Sequence, residues 1–321
     1  MIAEGIELTC YRADGAALVD LYARQDIAGS IVLRGRPLTT VAAGTRLSIE
    51  AVLEQACTLT AGGLVAMVRV QLMSDDIDPV AITDDPGGAT KLTVYLGSRD
   101  RVYGAPASEV ICEILHRRGI PGATVLPGID GNALGRRQQA RFLSRDAGAP
   151  VMVIAVGTGD RIGLVLPELG GLLRRPVITL EQVRVCKRDG ALIHRPEDSR
   201  STGEHGFPCW QKLTVYASEA ARHDGHPIHR AIVRRLRAAG IRVVATHRGI
   251  WGFRGDQPPH GDYFFRLAHH VPAVTSVIGA PGHMREAFGI VDELTSECGL
   301  VTSEPIHATN SVAGQREMGG L

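Results

Sequence analysis

Lys91-Leu92-Thr93-Val94-Tyr95 recurs, residue for residue, as Lys212-Leu213-Thr214-Val215-Tyr216. At the same spacing Pro106 meets Pro227, Ile111 meets Ile232, Leu115 meets Leu236, Gly119 meets Gly240, Ile120 meets Ile241 and Gly128-Ile129 meets Gly249-Ile250. With small shifts, Pro150 meets Pro272, and Val177-Ile178-Thr179-Leu180-Glu181 meets Leu300-Val301-Thr302-Ser303-Glu304. Chance can supply one shared pentapeptide. A whole ordered series is an internal repeat. A shorter third copy precedes these: Leu8-Thr9-Cys10-Tyr11 repeats the opening, Ile27 to Gly35 parallels Ile120 to Gly128, and Val68-Arg69-Val70 parallels Val183-Arg184-Val185.

One unit reads as follows. Residues 91–97 alternate and carry Thr, Val and Tyr, which suit a strand. Pro106 suits a helix N-terminus, Val110, Ile111, Ile114 and Leu115 form one apolar helical face, and Gly119 supplies a stop. Residues 122–127 predict a second strand and 150–156 a third, apolar on both faces. Residues 159–174 have a helical pattern, weakened by Pro167 and nearby glycines. Residues 177–186 close with a β-branched strand. The pattern predicts an α+β fold of three tandem ferredoxin-like βαββαβ units over 1–73, 89–187 and 209–309, packed as an intrachain pseudo-trimer whose units cover one another's bare sheet faces. Acidic, turn-rich residues 74–88 and polar residues 187–206 read as linkers, and the stretch from Asn310 as loose.

Composition bounds the partners. Among 321 residues 44% are hydrophobic and 21% charged, and the net charge is +1, so nothing general favours nucleic acid or an anionic membrane. Six cysteines fall in no zinc spacing and no compact disulfide framework, and Cys112 sits in an apolar helical stretch as a core residue. The opening Met1-Ile2-Ala3-Glu4-Gly5 carries no basic-then-apolar leader and no long apolar run follows, which predicts a cytoplasmic protein without direct membrane insertion.

The Leu-Thr-Val-Tyr strand, the following helix, the Gly-Ile-x-Gly stretch and the Pro-Val strand together resemble the family catalogued as domain of unknown function 190, a branch of the PII-like (GlnB-like) superfamily. Its best motif here is Arg248-Gly249-Ile250-Trp251-Gly252-Phe253. The middle copy departs from it at Pro127 and Asn132, and the first copy turns at once after Arg34-Gly35. The resemblance implies a signalling protein with a long mobile loop after the second strand of a unit. It implies a small effector, an adenine nucleotide, bound in clefts between units, and a membrane channel or transporter as protein partner. No other cofactor is required, and a chain holding three units is expected to be a monomer with internal pseudo-threefold symmetry.

Gly128, Ile129 and Gly131, and likewise Gly249, Ile250 and Gly252, follow a strand, where glycines let backbone approach a phosphate. They equally well begin a flexible loop. Arg136 in the middle loop, Arg174 and Arg175 before the last strand, and Arg248 are candidate phosphate partners through their bidentate forks. The alternative is a solvated charged face. His260, His269 and His270 cluster in the third loop with His283 further on, but the adjacent His269-His270 are poorly spaced as ligands and all read as exposed loop histidines; the i, i+3 pair His226 and His229 could share a helix face but reads the same way. No metal site and no catalytic set is legible, so the reading is a non-enzymatic regulator. The rivals are a structural adaptor that has lost ligand binding and an enzyme on a ferredoxin-like fold.

Overall fold

The structure is a computed structural model. It describes residues 2–11, 15–25, 27–35, 37–60, 62–73, 82, 88–133, 136–139, 149–174, 176–196, 210–261, 271–312 and 315–319. The first section runs β1 (Ile2–Tyr11), α1 (Gly15–Arg24), β2 (Gly29–Leu33), β3 (Thr39–Thr45), α2 (Arg46–Leu59) and β4 (Leu64–Met73). The second runs β5 (Gly88–Gly97), α3 (Ala107–Arg117), β6 (Gly122–Ala133), β7 (Arg136–Gln139), β8 (Pro150–Gly157), α4 (Gly159–Leu172) and β9 (Val177–Arg188). The third runs β10 (Trp210–Ser218), α5 (Ile228–Ala238), β11 (Val243–Arg248), β12 (Trp251–Arg254), β13 (Pro272–Gly279), α6 (Pro281–Leu294), β14 (Leu300–Val312) and β15 (Gln315–Gly319).

Local chemistry accounts for these elements. Alternation sends Leu92, Val94 and Leu96 of β5 into the core beneath α3 and α4, while Lys91, Thr93 and Tyr95 take the opposite face. Pro106 caps α3, and Gly119, at φ +72°, lets the chain leave it. α4 forms despite Pro167 in its interior, because Ile162, Val165, Leu166 and Leu169 are all buried. Burial at about 1.5–3 kcal/mol per side chain outweighs the ~3 kcal/mol that an interior proline costs.

Three ferredoxin-like units packed as a pseudo-trimer are not the architecture. A separate four-stranded unit keeps two edges of unpaired N–H and C=O groups, and here those edges pair across sections. β2 joins β6, β9 joins both β4 and β14, and β14 joins β4. The result is a closed nine-strand antiparallel barrel, ordered β4-β1-β3-β2-β6-β8-β5-β9-β14 and back to β4. Six further strands of four residues or more, six two-residue strands and six helices complete the described residues. Sequence repetition predicts the elements of a section. It carries no information on whether an edge strand ends at solvent or at its neighbour. Of the long loop expected after the second strand of the middle section, the described residues 131–133 and 136–139 are strand, since β6 continues to Ala133 and β7 pairs back on it. Residues 140–148 and 262–270 lie outside the described residues.

At the meeting of β1, β5, β9, β10 and β14, the side chains opposite the helices form a buried ionic cluster. Lys91 pairs with Glu181, and its Nζ lies 3.8 Å from Glu7 and 3.9 Å from Glu304. Lys212 Nζ lies 2.5 Å from Glu304, and the Tyr95 hydroxyl donates to Glu7 at 2.9 Å. Burial, and then Glu304 beside it, holds the Glu181 carboxyl well above the usual range. Burial opposes ionisation of Glu304 too, but Lys212 and Lys91 outweigh it and bring Glu304 down to about 2. Two ammoniums thus share three carboxyl groups, and burial pushes one of these, Glu181, towards its neutral form.

Candidate functional site

A cleft of about 530 Å³ opens between the second and third sections. Its apolar wall includes Ile154, Val156, Phe253, Pro272 and Leu300, and its polar side includes Arg188, Asp189, Arg254, Gln257 and His260. Strand addition builds it: β12 pairs with the start of β6, Trp251 opposite Val125 and Arg254 opposite Gly122. Phe253 is thereby buried, its ring edge-on to His116 at 5.1 Å between centroids.

The opposite lip is a tight hairpin. Arg188 pairs with Ala191, so Asp189-Gly190 is the two-residue turn, with φ of +48° and +84°. Asp-Gly is a favoured pair for such a turn, because both central residues need positive φ. The Asp189 N–H donates to the Gly299 carbonyl at 2.8 Å, which fixes the hairpin to the third section. Asp189 in turn pairs with Arg254 across the cleft. Arg188 is half-buried, and its Nε is buried without a hydrogen-bond partner.

None of the site residues expected from sequence lines this cleft. Gly128 lies opposite Leu33 and Gly131 opposite Ile31, with Ile129 between them in β6. A Cβ at Gly131 would collide with the Ser30 carbonyl oxygen, and one at Gly252 with that of Ala123. Gly249 donates to the Pro272 carbonyl at 2.7 Å and Ile250 to that of Val125 at 2.9 Å. These glycines therefore admit a neighbouring strand. Arg248 is ion-paired with Glu219 at 2.7 Å, Arg174 is exposed at the end of α4, Arg136 is backbone-paired with Ala133, and Arg175 lies outside the described residues. Sequence reading missed Arg188, Asp189 and Arg254. The Asp-Gly turn signal at 189–190 was present, but the stretch reads as a polar linker.

A valine at Gly249 would start with its Cβ 2.8 Å from the Pro272 carbonyl oxygen. Gly249→Val is expected to lower stability by about 1–3 kcal/mol, as overpacking against backbone does. Chemical denaturation measures it. An unchanged midpoint would mean that this approach does not hold β12 in place.

Cys112 is fully buried in the core of the second section, and burial pushes its thiol well up. Among the described residues no group of three or more His, Cys, Asp or Glu side chains could hold a metal ion, and no helix is long and apolar enough to cross a membrane. His269 and His270 lie outside the described residues.

The family catalogued as domain of unknown function 190, described as "Uncharacterized ACR", matches this chain twice, over residues 89–185 and 210–308. Among solved structures, the chain is similar to aspartate kinase from Synechocystis at 9% identity with a TM-score of 0.25. That likeness covers 98% of this chain and 46% of the kinase, and it is too weak to carry an argument.

Proposed function

Because the chain belongs to the domain of unknown function 190 family of the PII-like superfamily, we propose that it is a regulatory protein that binds a small phosphorylated effector, an adenine nucleotide, in the cleft between its second and third sections. The observation that carries this reading is the pairing of Arg188 and Arg254 on one side of a cleft that also has an apolar wall. The volume, about 530 Å³, falls within the roughly 300–1,000 Å³ of small-molecule sites. A flat base against Ile154, Phe253 and Leu300, with phosphate against Arg188 and Arg254, matches both walls. Effector binding would alter the Asp189–Arg254 pair that spans the cleft and so pass to a protein partner of the channel or transporter class.

Thermal shift and calorimetry against ATP, ADP, AMP and cyclic AMP test this. Binding to the native state raises the melting point by mass action. Arg188→Ala is expected to weaken the preferred nucleotide by about 10- to 100-fold, the range for a lost charge-assisted bond. Silence with every nucleotide at millimolar concentration would sink the reading. It would favour the adaptor, for which one observation speaks: the glycine motifs are occupied by strand pairing.

A further inference from the structure

Three arginines stand on one stripe of α5. Arg230, Arg234 and Arg237 follow one another at i, i+4 and i+7, so they share one helix face over about 10 Å of its length at 1.5 Å per residue. They line an open groove of about 690 Å³, to which the first section contributes Arg34 and the third also Val233 and Thr246. All four arginines are exposed, and no carboxylate lines the groove. Among the described residues none of the four guanidiniums is ion-paired, whereas the neighbouring Arg235 is held by both carboxylate oxygens of Glu293, at 2.6 and 2.7 Å.

The fold does not require these charges. At the spacing that sets Lys91 against Lys212, Arg230, Arg234 and Arg237 take the places of Glu109, Glu113 and His116 on α3. Both helices have 11 residues and follow a proline at the same point of their sections, yet the same face carries acids in one and arginines in the other. The arginines also work against α5 itself. Its first turn holds Arg230 and no acid, where the helix dipole favours negative charge, and like charges three and four residues apart repel. In α3 that turn holds Glu109. A cationic stripe that weakens its own helix and lacks a partner in the fold fits an anion supplied from outside.

We propose that the groove between α5 and the turn after β2 binds a small molecule that carries two or more phosphate groups. The planar guanidinium fork matches phosphate oxygens. One phosphate group carries about −1.5 to −2 at neutral pH, so two or more balance the four guanidiniums. No Phe, Tyr or Trp lines the groove, so it offers no stacking platform for a nucleobase or for single-stranded nucleic acid. The effector cleft, with Phe253 in its apolar wall, differs in this respect, and the two sites share no lining residue. The groove is therefore a second anion site, and it does not depend on the nucleotide reading of the cleft.

The test titrates the full chain with inorganic tripolyphosphate by calorimetry and thermal shift, beside pyrophosphate, orthophosphate and citrate at equal ionic strength. Tripolyphosphate should bind saturably, about tenfold or more tighter than orthophosphate or citrate, and raise the melting point. The Arg230→Glu/Arg234→Glu double variant, altered only at exposed positions, gives α5 the charges of α3. Without ligand it should melt at or above the parent temperature, and it should lose about tenfold or more in affinity for tripolyphosphate. Arg34→Gln, on the other side of the groove, should weaken binding as well and leave the unliganded melting point in place, which keeps the test sound should the double variant fold poorly. Flotation with vesicles holding a bisphosphorylated inositol lipid identifies the source of the phosphates: arginine-dependent flotation places them on a lipid headgroup, and its absence beside tripolyphosphate binding places them on a soluble molecule. No binding of tripolyphosphate overturns the proposal. So does citrate binding of equal strength, or an affinity that both variants leave unchanged, which would put the anion in the effector cleft.

Discussion

Lys91→Met is expected to cost the protein about 3–5 kcal/mol, the range for removing one partner of a buried ion pair. Against a typical total of about 5–15 kcal/mol this approaches unfolding. Lys91 is the ammonium that Glu7, Glu181 and Glu304 share. Methionine fills the same volume but leaves Lys212 alone to balance carboxylates that water cannot reach. Glu181→Gln is the informative control. Burial, and then Glu304, pushes the Glu181 carboxyl towards its neutral form, so the neutral amide of the same shape should cost only about 1 kcal/mol. Guanidinium denaturation of both variants decides the matter. A mild Lys91→Met would mean that the carboxylates do not depend on this ammonium. A Glu181→Gln as damaging as Lys91→Met would mean that Glu181 is ionised and the extra proton sits elsewhere.

The ionic cluster also marks how far sequence reading reached. The alternation around Lys91 and Lys212 was legible, and so were the helix bounded by Pro106 and Gly119 and the apolar strand at 150–156. Each depends on residues two to four apart. The barrel was not legible, because closure depends on which edges meet, such as Thr179 opposite Leu72 and Ser30 opposite Asn132. Those pairings join residues about a hundred positions apart and leave only a faint local mark, glycines at 131 and 252 where a Cβ would strike the facing backbone. Read alone, a glycine-rich stretch after a strand suits a phosphate as well as a strand. The cleft was hidden for a similar reason. Arg188 and Arg254 come from different sections, and only the Asp189-Gly190 turn and the β12–β6 pairing bring them together.

Acid should weaken this protein over a defined window, through His247. Its ring is buried where the first section meets the third, with Nδ1 donating to the Arg34 carbonyl at 3.4 Å and Gly35 packed against it. Burial pulls the imidazole down from 6.5 to about 4, and the Arg34 carbonyl only partly offsets this. The unfolded chain takes up its proton near 6.5, whereas the folded chain resists until about 4. Below pH 6.5 the unfolded state therefore binds more protons, and stability, full above 6.5, falls as pH drops towards 4. The loss over that window is about 3 kcal/mol at 1.36 kcal/mol per unit. His307, lowered to about 4 by burial and then by Arg69, adds a smaller loss in the same window because it is half exposed. Glu304 acts elsewhere: its contribution is intact above 4.5 and is lost only as pH falls towards 2. Denaturant midpoints from pH 7.5 to 4 should fall steadily in the parent chain. In His247→Gln they should start lower, from the disturbed packing, but run nearly flat apart from the His307 share. A parent curve that is flat from 6.5 to 4, or a variant with the same slope, would remove His247 as the cause. Because His247 lies in β11 against the turn at Gly35, the same acid window should raise hydrogen exchange along β11 before the cores beneath α3 and α6 respond.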